Sequence, residues 1–486
     1  MSDRGKVSFR GFHSAERGGL RRGGFRRRFG VAVLAACLLA GARSAAAQTE
    51  AERIRQLEQQ VEELRQQVEA LKAAKPAASE GTTPQATTPA SAPDAAELAR
   101  RLDLLAQEIE QLRLGESAAT AERPERGFGP AASKVYRQPQ GLSIGGYGEV
   151  LYQKFDDRRD DGTASRTTDE IDMLRSVVYV GYKFDDRWLF NSELEFEHGG
   201  DETGIEFAYL DYLWRPELGV RFGHLLLPMG FLNELHEPTV FLGANRPLTE
   251  RVIIPSTWHE NGAGIFGDLG PVSYRSYLVN GFDATGFTAG GLRDGRQGGA
   301  EAKAEDFAWV TRLESTPVEG LRLAGSAYLG KAGQGLQADG RNVGVSTHIY
   351  EAHAEWRGRG FELRALAARA DLGDVARLNS ALELTGNSSV GEELRGHYLQ
   401  AGYDVLSQHG DGQMKLVPFV RWEQLNTQHR VPQGFTANPA NDREVLTYGL
   451  SWMPRPQLVI KADFQDFDND AGSGVDQFNL GVGYVF

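Results

Sequence analysis

Charged and histidine side chains are the residues of this chain that could do chemistry, and their spacing does not form a catalytic site. The ten histidines are scattered along the sequence, and no nucleophile motif accompanies any of them. Hydrolysis by a serine nucleophile needs a serine, a histidine and an acid close together. No glycine-rich phosphate-binding loop is visible either. We therefore predict no enzyme activity, no metal site and no cofactor. The alternative function among enzymes would be that of an outer-membrane barrel hydrolase.

Eleven charged residues are candidates for a different task, the filtering of ions and polar solutes. Six lie between Phe231 and Asn261, a stretch that mixes apolar, charged and proline residues without a regular period. Charged groups that project into a water-filled passage select solutes by size and sign. The candidates are Arg221, Glu234, Glu237, Arg246, Glu250, Arg251, Glu260, Arg421, Glu423, Lys461 and Asp463. Each could instead be a solvated residue in an ion pair, and the preference between anions and cations stays open.

The elements that would position these side chains are β-strands, because from Gly141 onward apolar and polar residues alternate with a period of two. In the last segment, Phe478, Leu480, Val482, Tyr484 and Phe486 alternate with Gln477, Asn479, Gly481, Gly483 and Val485. Candidate strands of this kind lie near residues 142, 172, 188, 205, 218, 262, 272, 306, 321, 346, 361, 395, 415, 444, 457 and 476. We predict an all-β fold of about sixteen antiparallel strands over residues 141–486.

Alternation alone does not distinguish a soluble β-sandwich from a membrane barrel, but other features favour a transmembrane barrel. Nowhere do eighteen apolar residues run together, so the chain could cross a membrane only as a closed barrel. Short connections such as 183–187 alternate with long ones such as 156–170, as in outer-membrane barrels. The terminal Phe486 resembles the signal that the outer-membrane barrel assembly machinery reads.

Residues 1–47 have the composition of a signal peptide for export. An arginine-rich start leads into the apolar run Val31–Ala40, and small residues precede Gln48. The segment holds ten Lys/Arg and two Asp/Glu, so its removal takes the formal net charge from -13 to -21. This acidic balance disfavours nucleic acid as a partner. Cys37 leaves an alternative, a lipidated N-terminus at that cysteine, although the apolar run continues past it.

The segment 48–75 repeats in sevens and predicts a periplasmic α-helical coiled coil. Its core positions are Ile54, Val61 and Val68 in one row and Leu57, Leu64 and Leu71 in the other. A linker at 76–93, a second helix at 94–115 and another linker at 116–140 follow. The two core rows favour two strands, whereas Arg53 to Glu58 matches a trimer-forming pattern, so the cues conflict.

Four features of residues 141–486 resemble the phosphate-selective porin O and P family. They are the Gly-x-x-x-x-Pro-x-Gly lead-in at 223–230, the stretch Arg246–Glu260, the strand Pro418–Glu423 and the terminal Tyr484–Phe486. The resemblance implies a trimer of sixteen-stranded barrels with an inward-folded loop that narrows each pore, and it favours a trimeric coiled coil. Phosphate-selective members use lysine and arginine clusters at the constriction. No lysine occurs between Phe231 and Asn261, so the sequence does not predict phosphate selectivity.

We expect an outer-membrane porin that allows passive diffusion of small hydrophilic solutes or ions through a water-filled barrel. The alternative is a structural outer-membrane anchor that tethers the cell wall through its coiled coil. The expected partners are two further copies of the chain, outer-membrane lipid, the barrel assembly machinery through Phe486, and peptidoglycan through the coiled coil. The expected location is the bacterial outer membrane, with the coiled coil in the periplasm.

Overall fold

The computed structural model describes residues 126–138, 140–408 and 413–486, together with Gln59, Glu62 and Gln66. The chain divides into two units, Met1–Ile109 and Glu110–Phe486. In the first unit, the three described residues are helical and exposed. The predicted signal peptide, the core positions of the coiled coil, the linker at 76–93 and the second helix lie outside the described residues.

The second unit is built from one closed barrel of sixteen antiparallel strands, as the sequence predicted. The strands are β1 (Gly141–Phe155), β2 (Glu170–Lys183), β3 (Trp188–Glu197), β4 (Glu202–Arg215), β5 (Leu218–Leu226), β6 (His259–Leu269), β7 (Val272–Asn280), β8 (Phe307–Val318), β9 (Leu321–Lys331), β12 (Ser346–Gly358), β13 (Phe361–Leu372), β14 (Glu393–Tyr403), β15 (Lys415–Arg430), β16 (Asp442–Arg455), β17 (Leu458–Asn469) and β18 (Gln477–Val485). Each pairs with its neighbours in chain order, and β18 closes the ring on β1. The short β10 (Gln337–Ala338) and β11 (Arg341–Asn342) form a separate two-stranded sheet.

Helical elements are short and lie outside the barrel strands. They are α1 (Lys134–Arg137), α2 (Leu248–Val252) and α3 (Val375–Ala381), with single 3-10 turns at His198–Gly200, Pro238–Val240, Ala284–Gly286, Arg293–Gly295, Gly386–Ser388 and Pro439–Asn441. In the part of the chain that the structure describes, no helix is long and apolar enough to cross a membrane.

The predicted alternation of side chains is confirmed, and the structure shows which face points inward. In β12, Glu351, His353 and Glu355 are buried inside the barrel, whereas Tyr350, the residue before Glu351, is 45% exposed on the outer surface. In β18 and at Phe486 after it, the five apolar and aromatic residues of the predicted outer face are all exposed, and Asn479 is fully buried. The barrel therefore has a large apolar outer surface and buries charged side chains inside, the reverse of a soluble sandwich.

The connections at the two ends of the barrel differ in length. At one end, which we call the short-turn rim, six of the seven connections between strands are two to four residues long, and 404–414 is the longer exception. At the other end, the long-loop rim, most connections are much longer, among them 156–169, 281–306 and 373–392. The longest connection is 227–258, between β5 and β6. We call it the long loop.

Candidate functional site

The long loop is held by cationic side chains that point inward from strands around the barrel. Four of its backbone carbonyls accept hydrogen bonds from four different strands. Arg312 of β8 donates to Gly230, Arg364 of β13 to Val240 at 2.6 Å, Lys461 of β17 to Gly243 at 3.0 Å, and Arg421 of β15 to Asn245 at 3.3 Å. Because these donors are spread over strands β8 to β17, the loop has to run through the barrel interior to reach them.

Inward-facing carboxylates complete this attachment by accepting from loop amides. The Asp463 carboxylate accepts from the Ala244 amide at 2.6 Å, and Glu423 accepts from the Thr249 amide at 3.1 Å. Arg421 and Glu423 also form an ion pair at 2.8 Å. The polar side chains that line the barrel thus bond to backbone groups of the long loop. These backbone groups need such partners because only short parts of the loop are helical.

Two carboxylates of the long loop itself also accept hydrogen bonds from neighbouring groups. Glu250 accepts from the Leu232 amide at 2.8 Å and from the Tyr398 hydroxyl at 2.7 Å, and burial raises the pKa of this carboxyl to about 7. Glu237 accepts from the amides of Ala131 and Ala132, and burial raises the pKa of its carboxyl to about 7 as well. Burial thus opposes ionisation of both carboxyl groups, whereas the backbone amides that they bind favour the charged form.

The structure brings the eleven predicted residues into one interior, but it leaves few of them in contact with open space. Nine are at most 5% exposed: Arg221, Glu234, Glu237, Glu250, Glu260, Arg421, Glu423, Lys461 and Asp463. Arg246 is half-buried and donates to the His236 carbonyl at 3.3 Å. Arg251, at the end of α2, is the one whose side chain is exposed. Sequence reasoning missed Arg312 and Arg364, although both stand at inward positions of an alternating strand.

Two further arginines lie near Arg251 on the connection 281–306 of the long-loop rim. Arg293 and Arg296 donate to backbone carbonyls of the long loop, among them Thr257, which lies 2.5 Å from Arg296. Burial, together with the positive charges of Arg296 and Arg251, lowers the pKa of the Arg293 guanidinium to about 10. These three arginines give the side of the long loop that faces the long-loop rim a positive charge.

Residues 126–138, which fall within the predicted linker 116–140, pack inside the barrel at the short-turn rim. The Tyr136 hydroxyl donates to Asp211 of β4 at 2.8 Å and accepts from Arg221 of β5 at 2.7 Å. Arg221 forms two hydrogen bonds with the same Asp211 carboxylate, at 2.8 and 2.9 Å. The Phe128 ring stacks on Tyr209 with 5.4 Å between centroids. We call residues 126–138 the inner segment.

A cavity of about 230 Å³ lies between the inner segment, the long loop and the barrel wall. Its lining includes Arg275, Arg312 and Arg322 from three neighbouring strands and Glu234 from the long loop. Arg275 pairs with Glu234 at 3.1 Å. The cavity is therefore polar and rich in guanidinium groups, and a water molecule or a small solute would meet both signs of charge there.

The fold and its interior define the class of this chain as a sixteen-stranded closed β-barrel with a charged interior. No family model matches the chain. It is 36% identical to an uncharacterized protein of Aquifex aeolicus (strain VF5) over 392 residues, which are 77% of this chain and 87% of that protein. The chain belongs to the same family as this Aquifex protein.

Solved structures similar to the barrel include outer-membrane porins and channels. The match to Salmonella typhi OmpF in complex with daunomycin covers 72% of this chain and 99% of the OmpF chain, with 10% identity and a TM-score of 0.48. The match to the outer-membrane channel DcaP of Acinetobacter baumannii covers 71% of this chain and 97% of the DcaP chain, with 11% identity and a TM-score of 0.45. The match to an anion-selective porin from Comamonas acidovorans covers 71% of this chain and 100% of the porin chain, with 9% identity and a TM-score of 0.46.

Proposed function

We propose that this chain is an outer-membrane porin through which small hydrophilic solutes or ions diffuse passively. The observation that carries the proposal is the combination of a closed sixteen-stranded ring, an apolar outer surface and a charged interior. An apolar outer surface fits lipid, and a barrel of sixteen strands is wide enough for an aqueous channel. A soluble protein would have to cover the same apolar surface in another way.

The long loop is, in this proposal, the constriction of the channel. It meets inward donors from β8, β13, β15 and β17, so any solute that passes through the barrel must pass beside it. The eleven predicted residues then act at the constriction in two ways. Arg421, Glu423, Lys461 and Asp463 fix the loop backbone. Arg251, with Arg293 and Arg296 beside it, faces the solute.

The orientation and partners of the barrel follow from the same proposal. In outer-membrane barrels short turns face the periplasm and long loops face outward, so the inner segment and the predicted coiled coil before it would be periplasmic. The signal peptide, the trimer, contact with peptidoglycan and recognition of Phe486 by the assembly machinery remain parts of the proposal. The exposed Phe486 side chain is consistent with the last of these.

The proposal is tested by single-channel recording in planar bilayers with a salt gradient. We expect discrete conductance steps, and Arg251→Glu should shift the reversal potential toward cation preference, because the substitution changes an exposed charge at the constriction by two units. Arg341→Glu is the matched control. It makes the same charge change at an exposed residue of β11, outside the barrel strands, and should leave the reversal potential nearly unchanged.

Two results would contradict the proposal. Folded barrels that insert into the bilayer and never conduct would remove the channel function. Equal shifts from Arg251→Glu and Arg341→Glu would show that the long loop does not set the selectivity. Folding of each variant is checked beforehand by the mobility difference between heated and unheated samples in detergent gels.

A further inference from the structure

A buried cluster of carboxylates surrounds one histidine of the long loop. The His236 imidazole Nε2 lies 3.1 Å from Glu193 Oε1 of β3 and 3.3 Å from Glu206 Oε2 of β4. One ligand atom from each of these three residues lies within 4.8 Å of the others. Glu193 and Glu206 are 0% and 3% exposed, and His236 is 2% exposed. We call Glu193, Glu206 and His236 the buried triad.

The orientation of the imidazole suits a metal ligand. His236 Nδ1 lies 2.9 Å from the backbone carbonyl oxygen of Asn233. A carbonyl oxygen can only accept a hydrogen bond, so the nitrogen that faces it must carry a proton. Nδ1 is therefore a protonated position, and Nε2, which faces the two carboxylates, can bind a metal through its lone pair once it has lost its proton. Metal-binding histidines are commonly fixed in this way by a hydrogen bond from the other ring nitrogen to a carbonyl.

Among the residues that the structure describes, the carboxylates around the buried triad outnumber the cationic groups that lie within 4 Å of them. Arg175 is shared by three carboxylates, those of Glu149, Glu195 and Glu197. The other two carboxylates, of Glu193 and Glu206, have only His236 as a cationic partner within this distance, and Glu206 also shares a hydrogen bond with Glu195. Five buried or half-buried carboxylates thus face two cationic groups. Buried carboxylates without a paired charge are costly, so the arrangement favours an additional cation.

Two oxygens of the region also lack hydrogen-bond partners in the described part of the chain. They are Glu193 Oε2 and the hydroxyl of Tyr147. Tyr147 interacts electrostatically with Glu193, and the centroid of its ring lies 6.0 Å from that of His236, so both oxygens belong to one site. Buried polar atoms without partners are rare in native proteins. Their concentration around a single histidine is an observation independent of the charge balance, and it points to a bound ligand.

We propose that Glu193, Glu206 and His236 bind a divalent transition-metal ion of the Zn²⁺ type, with Glu195 or water in the fourth position. One imidazole nitrogen with carboxylate oxygens is a ligand set that suits Zn²⁺, whereas Ca²⁺ and Mg²⁺ take oxygen ligands almost alone. With bonds of about 2.0–2.2 Å, tetrahedral ligand atoms lie about 3.3–3.6 Å apart. The separations of 3.1 and 3.3 Å are close to this, so little movement is needed.

The metal would join the long loop to β3 and β4, two strands from which the loop otherwise receives few of its bonds. The role of the metal rests on the proposed function, because it would fix one side of the constriction. The sequence alone gave no sign of the site, since its ligands are separated along the chain by 13 and 30 residues.

The test is metal binding by the full, untagged chain folded in detergent, first stripped with a chelator. We expect one tightly bound equivalent of Zn²⁺ by elemental analysis after dialysis, and an affinity at least about tenfold lower in His236→Ala and in Glu206→Gln, because each removes one ligand. Calorimetry with Zn²⁺ alone gives the affinity. Zn²⁺ should also raise the melting temperature of the unsubstituted protein and not that of the variants.

Two control variants separate the triad from other histidines. His353→Ala removes another buried histidine that pairs with a glutamate, at 2.7 Å from Glu351, but with Arg312 beside it. His198→Ala removes the histidine of the exposed group Glu197, His198 and Glu202. Both should keep the bound equivalent.

Three results would overturn the proposal. They are the absence of a stoichiometric metal in the unsubstituted protein, equal loss in His353→Ala, and complete loss in His198→Ala. The first would mean that His236 is an imidazolium that pairs with the two glutamates without a metal. Metal content does not depend on conduction, so this test can fail while the channel proposal stands, and the reverse is also possible.

Discussion

The guanidinium of Arg221 is 1% exposed and is surrounded by partners on every side. It binds both oxygens of Asp211, contacts the hydroxyls of Tyr136 and Tyr277, and lies 4.2 Å from the centroid of the Tyr209 ring. Such a residue is fixed, since each of its three guanidinium nitrogens donates at least one hydrogen bond. The charge of Arg221 therefore serves the packing of the inner segment and is not available to a passing ion.

We predict that Arg221→Met lowers the free energy of unfolding by about 3–5 kcal/mol, because it leaves the buried Asp211 carboxylate without its partner. The measurement is a urea titration of the barrel in lipid vesicles. Arg215→Met is the control, since Arg215 is an exposed residue whose contact with Glu217 is 3.9 Å long, and exposed pairs contribute little. Equal effects of the two variants would show that the Arg221 pair is not stabilising.

The sequence predicted the inward direction of Arg221, Arg421 and Lys461, because direction in a strand follows from a period of two. It could not predict their partners. Arg421 and Lys461 donate to the carbonyls of Asn245 and Gly243, and every residue has a carbonyl, so no residue type marks an acceptor. For the same reason, the sequence left open whether each charge is free or paired, and it did not indicate that Arg421, Glu423, Lys461 and Asp463 are bonded to the backbone of the long loop.

At the scale of elements, the packing of the inner segment inside the barrel could not be predicted from its composition. Pro, Gly and Ala in residues 116–140 are typical of a linker. Inside the barrel the same small residues allow close approach: a Cβ on Gly129 would lie 2.5 Å from an oxygen of Glu237. A composition that is flexible in water is therefore also one that fits a crowded interior, and the sequence does not distinguish the two.

The inner segment should limit the flow through the channel. We predict that the double variant Phe128→Ala and Tyr136→Ala increases the single-channel conductance, because it removes the two rings that pack the segment against Tyr209 and Asp211. Planar-bilayer recording gives the conductance. Leu142→Ala, which shortens an exposed outer side chain of β1, should leave it unchanged. An unaltered conductance in the double variant would show that the segment does not obstruct the passage.

At the scale of the whole molecule, the sequence predicted the barrel well. A strand is observed at or within a few residues of each of the sixteen predicted positions. Alternation and turn residues are local, so they are visible in the sequence. The pairing of β1 with β18 and the path of the long loop are not local, and they depend on contacts between residues far apart in the chain.

The outer surface predicts how stability depends on depth in a membrane. We expect Leu399→Arg, near the middle of β14 and 56% exposed, to lower the free energy of unfolding in lipid vesicles by about 2–4 kcal/mol. Phe184→Arg, at the β2–β3 turn, should lower it by about 0–1 kcal/mol, because arginine near the interface stays hydrated. The measurement is a urea titration of each variant. Equal losses at the two positions would contradict insertion of the barrel in lipid.

The junction between β1 and β18 has a consequence for the making of the protein. Nine residue pairs join these strands, from Tyr147 and Val485 to Phe155 and Gln477, and Gly146 exchanges backbone hydrogen bonds with Phe486 at 3.0 and 2.9 Å. Strand β18 is thus required to pair with the free edge of β1 and to close the ring. Until these two strands meet, the sheet has two unpaired edges, which readily aggregate. A variant that could not form β18 would therefore remain an open sheet.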